Sequence, residues 1–327
     1  MKSGFVSIVG RPNVGKSTLL NTIMERKIAI TSNKAQTTRN NIMAVYHDED
    51  SQIVFFDTPG IHKPKHNLGK ALNSKAYYSI EDSDVIVLVV DIKEKLGTGD
   101  KFVIDKLKGV SKPVILLLNK IDTVSKEVIM RKISEYKDLY DFKEIIPVSV
   151  INKKDVDILI KEIKKYLTDD IKYYDDDYIT DKNTEFFISE YVREKILNNT
   201  NDEVPHAITC LTENIKKGRD AYEIDVLIIV ERENLKKIIV GHQGDMIKKI
   251  GIESRKDIEE LMGKKVYLNL FVKTVNKWRD KDRYLTEFGY KNNEWIKYKI
   301  NVHYITRKGE HLWQKKIYGT YLNKQEI

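Results

Sequence analysis

Short apolar runs alternate with longer amphipathic stretches through the first half of the chain. Phe5–Val9, Val85–Asp91, Val114–Asn119 and Ile145–Val148 read as buried strands, too short and too uniformly apolar for helices. Ile42–Tyr46 and Gln52–Phe56 flank the polar turn Asp48-Glu49-Asp50-Ser51 and read as a hairpin. Between these runs, Lys16–Glu25, Leu68–Ile80, Asp100–Lys108, Lys126–Tyr140 and Val156–Tyr166 read as helices. Such alternation predicts an α/β domain with a mostly parallel sheet, helices on both faces and one antiparallel edge strand.

The pattern breaks at Asp169–Asn183, an Asp-rich stretch carrying Tyr173, Tyr174 and Tyr178. It reads as a linker that the tyrosines could pin to one of the domains. Beyond it Thr184–Asn198 is helical, and Ala207–Ile215 and Tyr222–Glu231 alternate like paired strands around Lys216-Lys217-Gly218-Arg219. A short helical piece, the loop Gly241–Gly244, a long helix Asp245–Met262, a strand Lys265–Val275 and a helix Asp280–Phe288 follow. The order α-β-β-α-α-β-α predicts an α+β domain.

A length of 327 residues favours two cores over one. The longest apolar runs, Val85–Val90 and Val114–Leu118, fall far short of the ~20 residues that span a bilayer, and the N-terminus has no signal-peptide pattern. Cys210 is the lone cysteine, which excludes a disulfide framework and fits a reducing cytoplasm. The net charge of +8 is uneven: +3 over residues 1–179, zero over 180–295 and +5 over 296–327. The middle segment therefore needs a local basic patch before it can be read as binding nucleic acid.

Four separated motifs carry the chemistry. Gly10-Arg11-Pro12-Asn13-Val14-Gly15-Lys16-Ser17, with Thr18 behind it, fits G-x-x-x-x-G-K-[ST] between a strand and a helix. Its backbone N–H groups would wrap phosphates at a helix N-terminus, Lys16 would bridge the β- and γ-phosphates, and the Ser17 hydroxyl would bind Mg²⁺. Asp57-Thr58-Pro59-Gly60 lies at a strand end about forty residues on, where Asp57 can hold Mg²⁺ through water and the Gly60 N–H can meet a γ-phosphate. Asn119-Lys120-Ile121-Asp122 closes another strand. A carboxylate at Asp122 accepts from guanine N1–H and the 2-amino group, donors that adenine lacks. Lys120 would pack over the base and Asn119 would brace the loops. Ser149-Val150-Ile151 follows the fifth strand and would offer a backbone N–H to guanine O6. In the loop Gln36-Thr37-Thr38-Arg39 a threonine could complete the Mg²⁺ shell when the γ-phosphate is present, Thr38 in preference to Thr37. Ile61 stands where many small GTPases carry a water-orienting glutamine, so backbone, another side chain or a cation must hold the water.

In the second half, Gly241-His242-Gln243-Gly244 is a G-x-x-G loop, the element with which KH domains clamp about four nucleotides. Lys248, Lys249, Arg255 and Lys256 follow it, and residues 236–256 carry a local +4. Ile239, Val240, Ile247 and Ile250 would form an apolar groove beside it. With all the nucleotide motifs intact, a passive RNA chaperone with a decayed site is disfavoured. A protein- or membrane-binding second domain is disfavoured by the loop and its basic flank.

Together the runs Gly10–Ser17, Lys34–Asn40, Asp57–Gly60, Asn119–Asp122 and Ile229–Arg255 resemble the bacterial Era family of GTPases over roughly residues 1–293. The resemblance implies an α/β P-loop, Ras-like GTPase domain over 1–168, a linker over 169–183 and a type II KH domain over 184–293. It also implies a monomer that hydrolyses GTP, with Lys16, Thr38 and Gly60 in the catalytic machinery and Mg²⁺ as cofactor. The RNA would be the 3′ region of small-subunit (16S) ribosomal RNA, and the role would be assistance to assembly of that subunit. Family members are cytoplasmic with a peripheral membrane fraction. Relatives with a hydrophobic residue at the place of Ile61 can use K⁺ held by an asparagine at the place of Asn13. Val150 replaces the usual alanine. The basic extension 294–327, rich in aromatics, is not covered by the resemblance. It reads either as an appendage without specific role or as an extra electrostatic contact to RNA or anionic lipid.

Overall fold

The computed structural model describes residues 1–291, so the extension 294–327, including the weak strand read over Lys297–Ile305, lies outside the described residues. Strands β1 (Lys2–Gly10), β2 (Ile42–His47), β3 (Ser51–Asp57), β4 (Val85–Asp91), β5 (Val114–Asn119) and β6 (Glu144–Val148) form one sheet in the order β2-β3-β1-β4-β5-β6. The β2/β3 pair is antiparallel and the other pairs are parallel. Helices α1 (Lys16–Met24), α2 (Asn67–Asp82), α3 (Thr98–Leu107), α4 (Lys126–Lys137) and α5 (Lys153–Lys164) are the crossovers. The near-continuous Val/Ile/Leu character of β4 and β5 follows from burial on both faces.

Register brings the motifs together. Ile8 pairs with Asp57, Gly10 with Val89, Asp91 with Asn119, and Asn119 with Val148. The carboxyl ends of five strands thus open on one edge, where ligands of open α/β sheets bind.

Residues 169–183 run along the first domain. Ser3 bridges Asp169, Ala44 bridges Thr180, and the Gln52 side-chain oxygen accepts from the Tyr173 and Tyr174 N–H groups. Tyr173 packs on Phe5 with centroids 4.9 Å apart.

The second part comprises α6 (Thr184–Asn199), β7 (Ile208–Lys217), β8 (Ala221–Val230), α7 (Glu233–Val240), α8 (Asp245–Met262), β9 (Lys265–Thr274) and α9 (Asp282–Glu287). Its sheet runs β7-β8-β9, antiparallel then parallel. The parallel β8/β9 pair is made possible by the α7–loop–α8 crossover, which places the Gly241–Gly244 turn at one end of the domain.

One apolar cluster joins the two parts. Leu68 and Leu72 of α2 pack with Ile229, Trp278, Leu285, Phe288 and Tyr290. Trp278 is fully buried, stacks on Tyr290 and donates from Nε1 to the Ala207 carbonyl at 3.1 Å. Trp278→Ala removes that packing and leaves a buried carbonyl without its donor. It is expected to destabilise the protein by about 3–5 kcal/mol, read as a lowered urea midpoint; an unchanged midpoint would show that the cluster is not a joint.

Candidate functional site

The turn Gly10–Ser17 passes from the end of β1 into α1. Gly60 sits against it so closely that a Cβ there would fall 2.6 Å from the Pro12 nitrogen. That approach requires glycine and brings the backbone after β3 onto the loop. Lys16 is buried, and its Nζ donates to the Arg11 carbonyl at 2.8 Å and lies 3.4 Å from the Gly10 carbonyl. Burial pulls the ammonium pKa down to about 8, against the opposing pull of Asp57. The loop thus curls its own carbonyls around the cation that phosphates would claim. The Arg11 side chain turns away, paired with Glu94 and Asp100. Thr58 is spent on structure, donating to the Ile8 carbonyl at 2.8 Å. Pro59 is buried beside it.

Asp57 is wholly buried, and burial raises its pKa against the pull of Lys16, Ser17 and Thr38. Ser17 Oγ donates to Asp57 Oδ2 at 2.6 Å; Thr38 Oγ1 lies 2.7 Å from Ser17 Oγ and 3.3 Å from the same carboxylate oxygen. Asp57 Oδ1 is buried with no hydrogen-bond partner. Two hydroxyls and an orphaned carboxylate oxygen are a hard oxygen donor set that fits Mg²⁺. Thr37 faces elsewhere, donating to the Lys34 carbonyl at 2.6 Å. The geometry thus separates the two threonines that the sequence alone left close.

On the base side, Asn119 Nδ2 donates to the Val14 carbonyl at 2.8 Å, while its Oδ1 accepts from the Lys120 and Val150 N–H groups. Lys120 Nζ pairs with Asp91. Asp122 is exposed, with Ser149 Oγ donating to it at 2.6 Å. The Ser149 N–H is held by Asp155 and the Val150 N–H by Asn119. Both therefore brace the loop, a use of this backbone that its sequence did not reveal.

Ile61 is buried in the first domain's core and its N–H donates to the Gly10 carbonyl at 3.0 Å. It cannot face a water. The next residue bridges the two loops instead: His62 Nδ1 meets the Gly60 carbonyl at 2.8 Å and Nε2 meets the Gln36 amide at 3.0 Å. Asn13 Nδ2 donates to the Asn33 carbonyl at 2.6 Å.

A cleft of about 830 Å³ is lined by Pro12, Asn13, Lys16, Ser17, Thr38, Gly60 and Lys120, and its wall includes Asn198 and Asn201 of the second domain. Sequence reading missed this contribution. It also missed Arg39 and Arg193, both fully buried at the junction. Arg39 donates to the Pro205, His206 and Ile208 carbonyls, and Arg193 to Glu190 and the Thr37 carbonyl. Only the fold brings residues so far apart into contact, although Arg39 directly follows Thr38.

In the second domain, Gly241 (φ 77°), Gln243 (φ 50°) and Gly244 (φ 86°) all have positive φ, and the last two are left-handed. A Cβ on Gly244 would meet nothing within 4 Å, so the space it leaves open faces outward. His242, Lys248, Lys249 and Arg255 are exposed around it. Ile239 and Ile250 are not groove residues: both are completely buried in the domain core, because at that spacing they face the sheet. Half-exposed Val240 and Ile247 remain beside the loop.

A family model described as a 50S ribosome-binding GTPase matches residues 5–120, and a KH domain model matches residues 203–279. A crystal structure of a point variant of Aquifex aeolicus Era bound to GDP·AlF4⁻ is 40% identical, with a TM-score of 0.86, over 89% of this chain and all of that one. A crystal structure of Era with MgGDPNP and nucleotides 1506–1542 of 16S ribosomal RNA matches with the same identity, coverage and TM-score.

Lys16 provides a signature of phosphate binding. With its pKa near 8 before binding and higher beside phosphate, the bound state holds more protons, so affinity falls as pH rises above about 8. Titration calorimetry at pH 9 in buffers of different ionisation enthalpy should show proton uptake that Lys16→Ala abolishes. Equal apparent enthalpies for the wild type would remove Lys16 from the phosphate site.

Proposed function

The chain belongs to the Era family of GTPases, and from that premise we infer that it binds and hydrolyses GTP, binds the 3′ region of 16S ribosomal RNA and assists small-subunit assembly. The observation that supports the reading is one chain holding both a cleft lined by the Gly10–Ser17 turn and Lys120 and an outward-facing Gly241–Gly244 loop with a basic flank.

In this reading Ser17, Thr38 and Asp57 hold Mg²⁺, which when bound supplies positive charge to the β- and γ-phosphates. Lys16 leaves its carbonyl partners for the phosphates, and the Gly60 N–H meets the γ-phosphate where charge develops. Asp122 reads the guanine edge, oriented by Ser149. The Ser149 and Val150 N–H groups are already engaged, so the guanine carbonyl is met by Ile151 N–H or by a shared bond. No helix among the described residues is long and apolar enough to cross a membrane. A monomer in the cytoplasm, with a peripheral share at the inner membrane face, completes the reading.

A finer element is K⁺ activation. Ile61 is buried and offers no polar group, and the Asn13 nitrogen is spent on Asn33, which leaves the amide oxygen for a cation. Hydrolysis should run faster in K⁺ than in Na⁺, with the difference reduced by Asn13→Ala. Equal wild-type rates in the two salts would remove the K⁺ site.

The RNA side is tested at Gly244. Gly244→Asp places a Cβ and a negative charge in the open space where phosphate would approach, on a backbone at φ 86°. Binding to a 3′-end 16S fragment should fall at least ten-fold while GTP hydrolysis is retained, with wild-type binding still weakening as salt rises. Wild-type RNA affinity in the variant would show that the loop is not the contact.

A further inference from the structure

The nucleotide cleft is not finished by the first domain. The segment Thr31–Thr38, which carries the hydroxyl beside Asp57, is held along its length by the second domain. Glu194 Oε1 of α6 accepts from the Thr31 N–H at 2.9 Å. Asn201 Oδ1 accepts from Lys34 Nζ at 2.5 Å. Arg193 donates to the Thr37 carbonyl, one peptide away from Thr38. On the other side of that threonine, Arg39 reaches into the second domain and donates to three carbonyls between Pro205 and Ile208.

Arg193 is the best placed of these groups. It is fully buried, and Glu190 Oε1 and Oε2 accept from its Nε and Nη2 at 2.7 and 2.6 Å, fixing the guanidinium plane. A planar fork fixed in this way can fix what it touches. The Thr37 carbonyl and the Thr38 N–H belong to one rigid peptide, so anchoring the carbonyl limits where the Thr38 side chain can go.

We propose that Arg193, from the RNA-binding part of the chain, is a positioning residue for GTP hydrolysis, holding the Thr37–Thr38 peptide so that Thr38 reaches the Mg²⁺ site. The role rests on the Mg²⁺–GTP reading above and acts through Thr38 alone. GDP, which lacks the γ-phosphate that this loop accompanies, gains nothing from it.

The test compares binding of fluorescent GDP and of a non-hydrolysable GTP analogue across a Mg²⁺ titration. Two variants are used. Arg193→Lys keeps a charge for Glu190 but loses the planar fork that holds Glu190 and the Thr37 carbonyl in one fixed geometry. The pair Arg193→Gln with Glu190→Gln removes the ion pair as a unit, so that no buried charge is orphaned if the single variant does not fold. Either variant should bind GDP as the wild type does, bind the analogue roughly ten-fold more weakly, and need more Mg²⁺ for half-saturation. A merely structural role would lower both affinities together. In a Thr38→Ala background the Arg193 substitution should add nothing further to the loss of analogue affinity. A folded variant with the wild-type ratio of analogue to GDP affinity overturns the proposal, as does a full additional loss in the Thr38→Ala background. Failure of Thr38→Ala to weaken analogue binding would remove the Mg²⁺ role of Thr38 itself, and the proposal with it.

Discussion

A carboxylate that water cannot reach needs a cation, and Asp57 is such a carboxylate. One oxygen is occupied by two hydroxyls and the other has no partner. Leaving an ionised group in that state is unfavourable by several kcal/mol in a dry interior. The neighbouring groups answer it: Lys16 is buried beside it in spite of the penalty on its own charge, and Ser17 and Thr38 turn their hydroxyls inward. The site is therefore built around a buried carboxylate whose free oxygen a divalent cation would take up, while a polyphosphate would claim Lys16.

The same logic extends to the junction between the two parts of the chain. Arg39 leaves the first for the second and Arg193 leaves the second for the first, and both are buried on arrival. Arg193 keeps its charge because Glu190 outweighs the penalty of burial. Arg39 has its pKa lowered by burial and by the nearby Arg193, and backbone carbonyls solvate it. To separate, Arg39 must give up its three carbonyl partners and Arg193 its bond to the Thr37 carbonyl.

The apolar joint contributes differently. Trp278, Leu285, Phe288 and Tyr290 fold back from the end of the second sheet onto α2 of the first domain. Non-directional packing of this sort holds the parts together, while the hydrogen bonds of Arg39 and Arg193 set their register.

Much of this was legible in the sequence, for reasons that differ by element. The strand and helix runs of the first domain were readable because two-sided burial imposes apolar runs and one-sided burial imposes helical spacing. The phosphate, magnesium and guanine motifs were readable because each needs fixed residue types within a few positions, so local spacing alone encodes them. The glycines of the Gly241–Gly244 loop were readable for the same reason. Thr37 and Thr38 are told apart only in the fold, where the Thr38 hydroxyl faces Asp57 and the Thr37 hydroxyl the Lys34 carbonyl, since neighbouring threonines differ in direction and not in chemistry. Ile239 and Ile250 looked like groove residues because both an apolar groove and a core call for isoleucine; only packing against β7–β9 assigns them to the core. The partners of Arg39 and the Thr37 partner of Arg193 lie more than 150 residues away, and no short pattern marks a contact at that distance. What lies within one turn or one strand end belonged to the sequence, and what depends on two surfaces meeting belonged to the tertiary structure.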